Sequence, residues 1–203
     1  MKILVFGKTG QLAQALAAAP DVVSGAVRLE LLDRAAADLG NPVHCAALIG
    51  HTDAAAIINA AAFTSVPGAE AAPDAARVVN VVAPGAMAAA AAARGLPFLH
   101  VSSDYVFDGF GTDRWTPDSP TRPINCYGRT KRLGELAVQQ ACQQAGSPFA
   151  IVRTSWVISA YGRNFLTSML DRAASVDSVS VVSDQIGGPT PAPDLAADPP
   201  APC

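Results

Sequence analysis

Short apolar runs recur along the chain, separated by longer alanine-rich stretches. The runs cover residues 2–6, 28–32, 56–60, 97–102, 149–154 and 179–182, each of strand length. Because most of them are largely apolar rather than strictly alternating, they predict strands covered on both faces, as in a parallel sheet sandwiched between helices. The intervening segments carry helix signals. Residues 11–19 run to Pro20, and Pro42 follows Asn41 as a first-turn proline behind a capping residue. Pro84 opens a helix that passes through Met87 to Arg94 and stops at Gly95. The alanine tract 88–93 is helical on the same reading, since alanine has the best intrinsic helix propensity. Strand and helix in alternation predict an α/β domain: a Rossmann-like, doubly wound parallel sheet with helices on both faces.

That domain is expected to occupy residues 1–188. The final stretch, "PTPAPDLAADPPAPC", carries prolines that remove backbone donors and interrupt both periodicities, so residues 189–203 are expected to be loop and disordered end.

Composition narrows the function classes. The 203 residues are 50% hydrophobic and 15% charged with a net charge of -3, which leaves no basic surface for nucleic acid. The apolar run at residues 3–6 is far shorter than the ~20 residues of a membrane span, so no membrane segment is expected there. Four cysteines lie scattered without CxxC spacing, and three histidines form no ligand pair. Neither a metal site nor a disulfide framework is indicated, and a reducing cytoplasm fits.

The first motif follows the first run: "VFGKTGQLAQ". A nucleoside-triphosphate loop, GxxxxGK[ST], with Lys8 as its lysine would need a glycine at position 2, where the chain has Lys2. Gly7, Gly10 and Ala13 instead supply GxxGxxA, a bend that turns backbone N–H groups toward a dinucleotide pyrophosphate. About 20 residues on, where a side chain meets the adenosine ribose, stand Asp33 and Arg34. Asp33 suits a 2′-hydroxyl and Arg34 a 2′-phosphate, so NADH and NADPH both remain open.

The second motif is "CYGRTKRLGELA", in which Tyr127 and Lys131 are spaced i, i+4 on one helical face. A phenol beside an ammonium is a tunable proton donor: Lys131 is expected to lower the Tyr127 pKa and to hold the nicotinamide ribose. The run 97–102 leads into Ser103, Asp104 and Tyr105, at the carboxyl end of a parallel strand where ligands of open α/β sheets bind. Ser103 is placed to hydrogen-bond the carbonyl oxygen that Tyr127 protonates.

Together these stretches, with "IINAAAFTSV", "VVNVVAPGAMA", "HVSSDYVFDG", "IVRTSWVIS", "GRNFLTSML" and "VSDQIGGPTPAPDLA", resemble the extended short-chain dehydrogenase/reductase superfamily. Within it they look like the dTDP-4-dehydrorhamnose reductases. The resemblance implies cofactor contacts at Gly7, Thr9, Gly10, Gln11 and Leu12, adenine-side contacts at Asp38 and Leu39, and a segment along the cofactor at Ala61, Ala62 and Thr64. It implies a catalytic set of Ser103, Tyr127 and Lys131, with Thr64, Asp104, Tyr105 and Trp156 near the sugar nucleotide. Trp156 also has an alternative place in the core behind a buried strand. The implied reaction is NADPH- or NADH-dependent reduction of the C4 ketone of dTDP-4-dehydro-L-rhamnose to dTDP-L-rhamnose, by a monomer or homodimer. A nucleotide-sugar epimerase or dehydratase, or a non-catalytic NADP-binding subunit like the methionine adenosyltransferase β subunit, shares these motifs.

Three departures stand out. Ser103 replaces a common threonine and keeps the hydroxyl. Gln14 and Ala15 stand near where some relatives place a magnesium-bridging glutamate, so no metal is expected. The family continues past "DQIGGPT" into a lobe over the nucleotide sugar, whereas this chain passes into "AADPPAPC". Cofactor binding is therefore expected to persist with poor sugar-nucleotide affinity.

Overall fold

The structure, a computed structural model, describes residues 1–197. Five of the six apolar runs form one sheet: β1 (Lys2–Phe6), β2 (Arg28–Leu32), β3 (Ala56–Asn59), β4 (Phe98–Ser103) and β5 (Phe149–Thr154). The order is β2-β1-β3-β4-β5 and every pairing is parallel, with Phe6 beside both Leu32 and Asn59, and Ser103 beside Thr154. The strand order reverses between β1 and β3. In a doubly wound sheet that is the switch point, where a crevice opens beyond the carboxyl ends of the strands.

Helices cover both faces. On one lie α3 (Pro42–His51), α6 (Ala83–Ala92) and α7 (Cys126–Ala145), packed side by side. On the other, α1 (Gln11–Ala17) packs against α9 (Ala192–Ala197). Leu4, Phe6, Ile49, Ile57, Met87 and Phe98 fill the interior between sheet and helices. Side chains of this kind each contribute about 1.5–3 kcal/mol when fully buried. The shorter helices are α2 (Pro20–Val23), α4 (Val66–Ala71), α5 (Pro73–Arg77) and α8 (Phe165–Ala173).

Several expectations are corrected. Helix α1 ends at Ala17, and Pro20 begins α2 rather than merely closing α1, using the first-turn position where a missing N–H costs nothing. Pro84 does not open a helix. It lies within a continuous helix from Pro73 to Ala92, just after a π-helical turn at Val78–Val82. The widened turn accommodates the proline, which cannot bond the Asn80 carbonyl one turn back. That helix has the length and apolarity of a membrane span, and packing explains its composition: Ala83, Met87, Ala88 and Ala91 are buried against neighbouring helices.

Residues 179–182 form no strand. Val181 and Val182 are exposed, and a run that reads as β stays irregular where no sheet edge receives its backbone. Residues 190–197, expected to be loop, are ordered. Thr190–Pro191 forms β7 and pairs in parallel with β6 (Val157–Ile158), and α9 follows with Pro193 in its first turn and Ala192 fully buried. The rest of the stretch expected to be disordered, residues 198–203, lies outside the described residues.

Helix α7, 20 residues long, is the element that reaches the site. Asn125 caps it by accepting from the Gly128 N–H at 2.7 Å, and Gly146 ends it in the left-handed conformation. Two glycines let it approach other backbone directly. A Cβ on Gly128 would lie 2.1 Å from the Tyr105 carbonyl oxygen, and one on Gly134 would lie 2.1 Å from the Asn80 carbonyl oxygen. The Asn80 carbonyl is the one that Pro84 leaves without its usual helical donor, so the proline and Gly134 meet at one place.

The buried face of α7 also carries charge. Glu135 is fully buried, and both its oxygens accept from Arg153 of β5, at 2.9 and 2.8 Å. Arg132 adds a third bond at 2.9 Å. Burial pushes the Glu135 carboxyl up, but the Arg153 and Arg132 guanidiniums outweigh it and hold the carboxyl below an ordinary glutamate. Arg153 lies over the Phe107 ring, which stacks on Trp115, so the ion pair also anchors the segment after β4.

Two outcomes follow for stability. Gly134→Ala should lower the unfolding free energy by roughly 3 kcal/mol through overpacking. Gly50→Ala, on a part of α3 with nothing within 4 Å, should raise it by about 0.5 kcal/mol, and urea midpoints compare the two. Glu135→Gln should cost on the order of 3 kcal/mol at neutral pH by leaving the half-buried Arg153 without its counter-charge. The Glu135 contribution is complete above the ordinary glutamate value of 4.5 and is lost as pH falls through the lower folded value. The wild-type stability curve should therefore drop more steeply in acid than that of Glu135→Gln.

Candidate active site

The predicted residues gather along the carboxyl edge of the sheet. At the switch point, Gly7 adopts φ 108°, and both its N–H and that of Lys8 donate to the Leu32 carbonyl, at 2.9 and 3.0 Å. A Cβ on Gly7 would meet the Ala61 nitrogen at 3.0 Å, so only glycine lets this turn sit against the segment after β3. Gly10 N–H closes the bend on the Gly7 carbonyl at 2.9 Å. Gly10 precedes α1 with no side-chain cap, and Thr9 is exposed beside it. Leu12 is half-buried.

At the end of β2, the Asp33 carboxylate accepts from the Ala36 N–H at 3.0 Å. The exposed Arg34 pairs with Asp38 at 3.5 Å, and Asp38 also accepts from the Gly40 N–H at 2.9 Å. Leu39 differs from its neighbours: its side chain is buried in the core with Ala37, Cys45 and Ile49.

Two asparagines that were given no role hold the segment Ala61–Thr64. The fully buried Asn59 accepts from the Ala61 N–H at 3.2 Å. Asn80 accepts from the Phe63 N–H at 2.8 Å and donates back to the Phe63 carbonyl at 3.1 Å, then bonds Thr130 of α7 at 3.0 Å. The signal was present in the sequence as single asparagines inside the apolar runs "IINAAAF" and "VVNVV", because a buried amide has to find partners.

The second half of the site is where α7 crosses the end of β4. Tyr127 is buried, its ring edge-on to Tyr105 with centroids 5.4 Å apart. Ser103 donates its hydroxyl to Asp104 at 3.0 Å and accepts from the Tyr105 N–H at 3.3 Å. Burial pushes the Asp104 carboxyl up, opposed by hydrogen bonds from Ser103 and nearby backbone. Burial also pushes the Tyr127 phenol up, against the lowering influence of the Ser103 hydroxyl, so the phenol stays protonated at neutral pH.

The expected lowering of the phenol pKa by Lys131 is corrected. The Lys131 ammonium turns into the sheet and donates to the Val101 carbonyl at 2.7 Å, and desolvation dominates the tyrosine. Burial depresses Lys131 itself to about 8, with Glu135 one turn away opposing the shift. His100, which was assigned no chemistry, is a buried partner of Asn59, 3.2 Å from Nδ1. Burial and the nearby Lys131 keep it neutral.

Trp156 is not a core residue. It follows β5 with its side chain 44% exposed and has φ 43°, a left-handed conformation that costs a non-glycine residue on the order of 1 kcal/mol. The arrangement thus joins a glycine turn suited to an anionic backbone, a protonated buried phenol, a serine hydroxyl and a buried lysine, with an open indole beyond β5.

Comparison with known proteins places the fold among known relatives. A family model described as the RmlD substrate binding domain matches residues 1–198. The dTDP-4-dehydrorhamnose reductase of Burkholderia thailandensis is 42% identical over 196 residues, which is 97% of this chain and 63% of that protein. The crystal structure of a dTDP-4-dehydrorhamnose reductase from Clostridium acetobutylicum superposes with a TM-score of 0.89 at 33% identity, covering 97% of this chain and 68% of the other. That of the Bacillus anthracis dTDP-4-dehydrorhamnose reductase in complex with NADP gives 0.87 at 31% identity, covering 96% and 68%. The chain spans less than two thirds of the length of the Burkholderia protein. The matched length and the identity to these relatives lead to one assignment: the chain belongs to the RmlD substrate binding domain family.

Proposed function

We propose that the chain reduces the C4 ketone of dTDP-4-dehydro-L-rhamnose to dTDP-L-rhamnose with NADPH or NADH. The observation that carries this reading is the buried Tyr127, kept protonated by desolvation, one helical turn from Lys131 and opposite Ser103. The names of the relatives support the substrate, and the NADP bound by the Bacillus anthracis protein supports the cofactor class.

The residues at the switch point fit a dinucleotide. Gly7 leaves no side chain between the turn and the segment after β3, and the start of α1 carries no side-chain cap to compete for its N–H groups. Gly7, Gly10 and the first residues of α1 would hold the pyrophosphate, Asp33 or Arg34 the ribose end, and Ala61, Ala62 and Thr64 the adjoining length. A nicotinamide cofactor in this place supplies hydride to the ketone carbon.

Proton delivery falls to the chain itself. Tyr127 gives its proton to the ketone oxygen, and its raised pKa makes it an acid that is fully loaded at neutral pH. The Ser103 hydroxyl, which donates to Asp104 in the free chain, turns to the ketone oxygen that Tyr127 protonates and stabilises the charge that develops there. Lys131, charged below about 8 and held on the Val101 carbonyl, would hold the nicotinamide ribose one helical turn from Tyr127. Thr64, Asp104, Tyr105 and Trp156 line the side toward the sugar nucleotide, a small-molecule partner suited to a cytoplasmic protein.

The test is to follow NADH and NADPH absorbance with the dTDP-ketosugar. Steady oxidation is expected from the native chain, which separates a reductase from an epimerase or dehydratase that restores its cofactor each cycle. Tyr127→Phe should lower turnover by roughly 10²-fold or more. Unchanged turnover would remove Tyr127 as the donor, and no oxidation with either cofactor would remove the proposal. The rate should also decline as pH rises through about 8, where the Lys131 ammonium discharges. A flat profile across that range would exclude Lys131 from the reaction.

A further inference from the structure

Gln11 opens α1 at the glycine turn, yet its side chain reaches away from it. Nε2 donates to the Val157 carbonyl at 3.1 Å. Oε1 accepts from Asn164 Nδ2 at 3.0 Å and lies 2.9 Å from the Ser159 hydroxyl, which also reaches the Tyr161 carbonyl at 2.7 Å. Asn164 in turn donates to the Ser159 carbonyl at 2.8 Å and caps α8 together with Thr167. One amide therefore gathers the loop between β6 and α8 onto the first residue of α1.

The residue type matters. A glutamate at position 11 would keep the two acceptor contacts but lose the donor, setting a carboxylate against the Val157 carbonyl, and an asparagine would be one methylene short.

The latch fastens the residue directly after Trp156. On the other side, the Trp156 carbonyl accepts from the Thr190 N–H at 3.1 Å and Ser155 donates to the Gly188 carbonyl at 2.9 Å. Gly187 lies against the indole so closely that a Cβ would come within 3.0 Å of the ring. The left-handed backbone of Trp156 is thus held between the 187–190 segment and Gln11.

We propose that Gln11 is a positioning residue, whose side chain ties the glycine turn to residues 157–164 and so fixes the orientation of Trp156 on the substrate side. The kinetic consequence rests on the proposed reductase function; the structural one does not.

Hydrogen exchange on the nucleotide-free full chain tests it, comparing wild type, Gln11→Glu and Ser159→Ala. Amides of residues 157–164 should exchange about tenfold faster in both variants, with β1 to β5 unchanged. In a Trp115→Phe background, acrylamide should quench Trp156 more strongly in both. If Gln11→Glu loosens the whole chain, Ser159→Ala decides: local acceleration supports the latch and none overturns it. Unchanged exchange at 157–164 with weaker NADP⁺ binding in Gln11→Glu would make Gln11 a cofactor contact only and also overturn it. Where the ketosugar is turned over, KM for it should rise about fivefold in Ser159→Ala with kcat within about twofold. Absence of turnover counts against the reductase proposal alone, since the exchange result stands without it.

Discussion

Helix α7 lies at main-chain distance from two other segments, and the rest of the site depends on that approach. Gly128 meets the Tyr105 carbonyl and Gly134 the Asn80 carbonyl, at separations that leave no room for a Cβ. Between these glycines sits Lys131, and just before the first sits Tyr127. Any side chain at either glycine would push the helix outward and carry the phenol and the ammonium away from the end of β4. The π-helical turn before Pro84 belongs to the same constraint, because it presents the Asn80 carbonyl to Gly134 and the Asn80 amide to Phe63 and Thr130.

The same close packing makes the buried charges of α7 comprehensible. Lys131 and Glu135 stand one turn apart on the inner face, and each finds a partner on a different strand: the Val101 carbonyl of β4 and the Arg153 guanidinium of β5. Desolvation acts on both and its outcome differs. Glu135 has two guanidiniums and stays ionised, whereas Lys131 has one neutral acceptor and drops to about 8. A structural ion pair and a titratable group suited to chemistry thus arise on one helix from the number of counter-charges each receives.

Much of the fold and site was legible because it depends on local chemistry. A continuously apolar run marks a buried strand, a glycine after the first strand marks a sharp turn, and Tyr127 with Lys131 at i, i+4 share a face whatever the helix packs on. The errors cluster where distant segments decide. Residues 179–182 have a strand's composition but no edge to pair with, and Pro193 reads as a breaker until the first turn of α9 receives it. Pro84 reads as a helix start unless the π-helical turn is known.

The sequence by itself determined the parallel α/β architecture, the glycine turn and the helical face that Tyr127 and Lys131 share, since spacing and residue type act over a few positions. The tertiary structure alone decided the protonation balance and the links between distant segments. Burial, not Lys131, sets the phenol of Tyr127, and the side chain of Gln11 turns toward Val157, Ser159 and Asn164. Both outcomes depend on which groups from far along the chain arrive within a few ångströms, and desolvation and hydrogen bonding act only at that range.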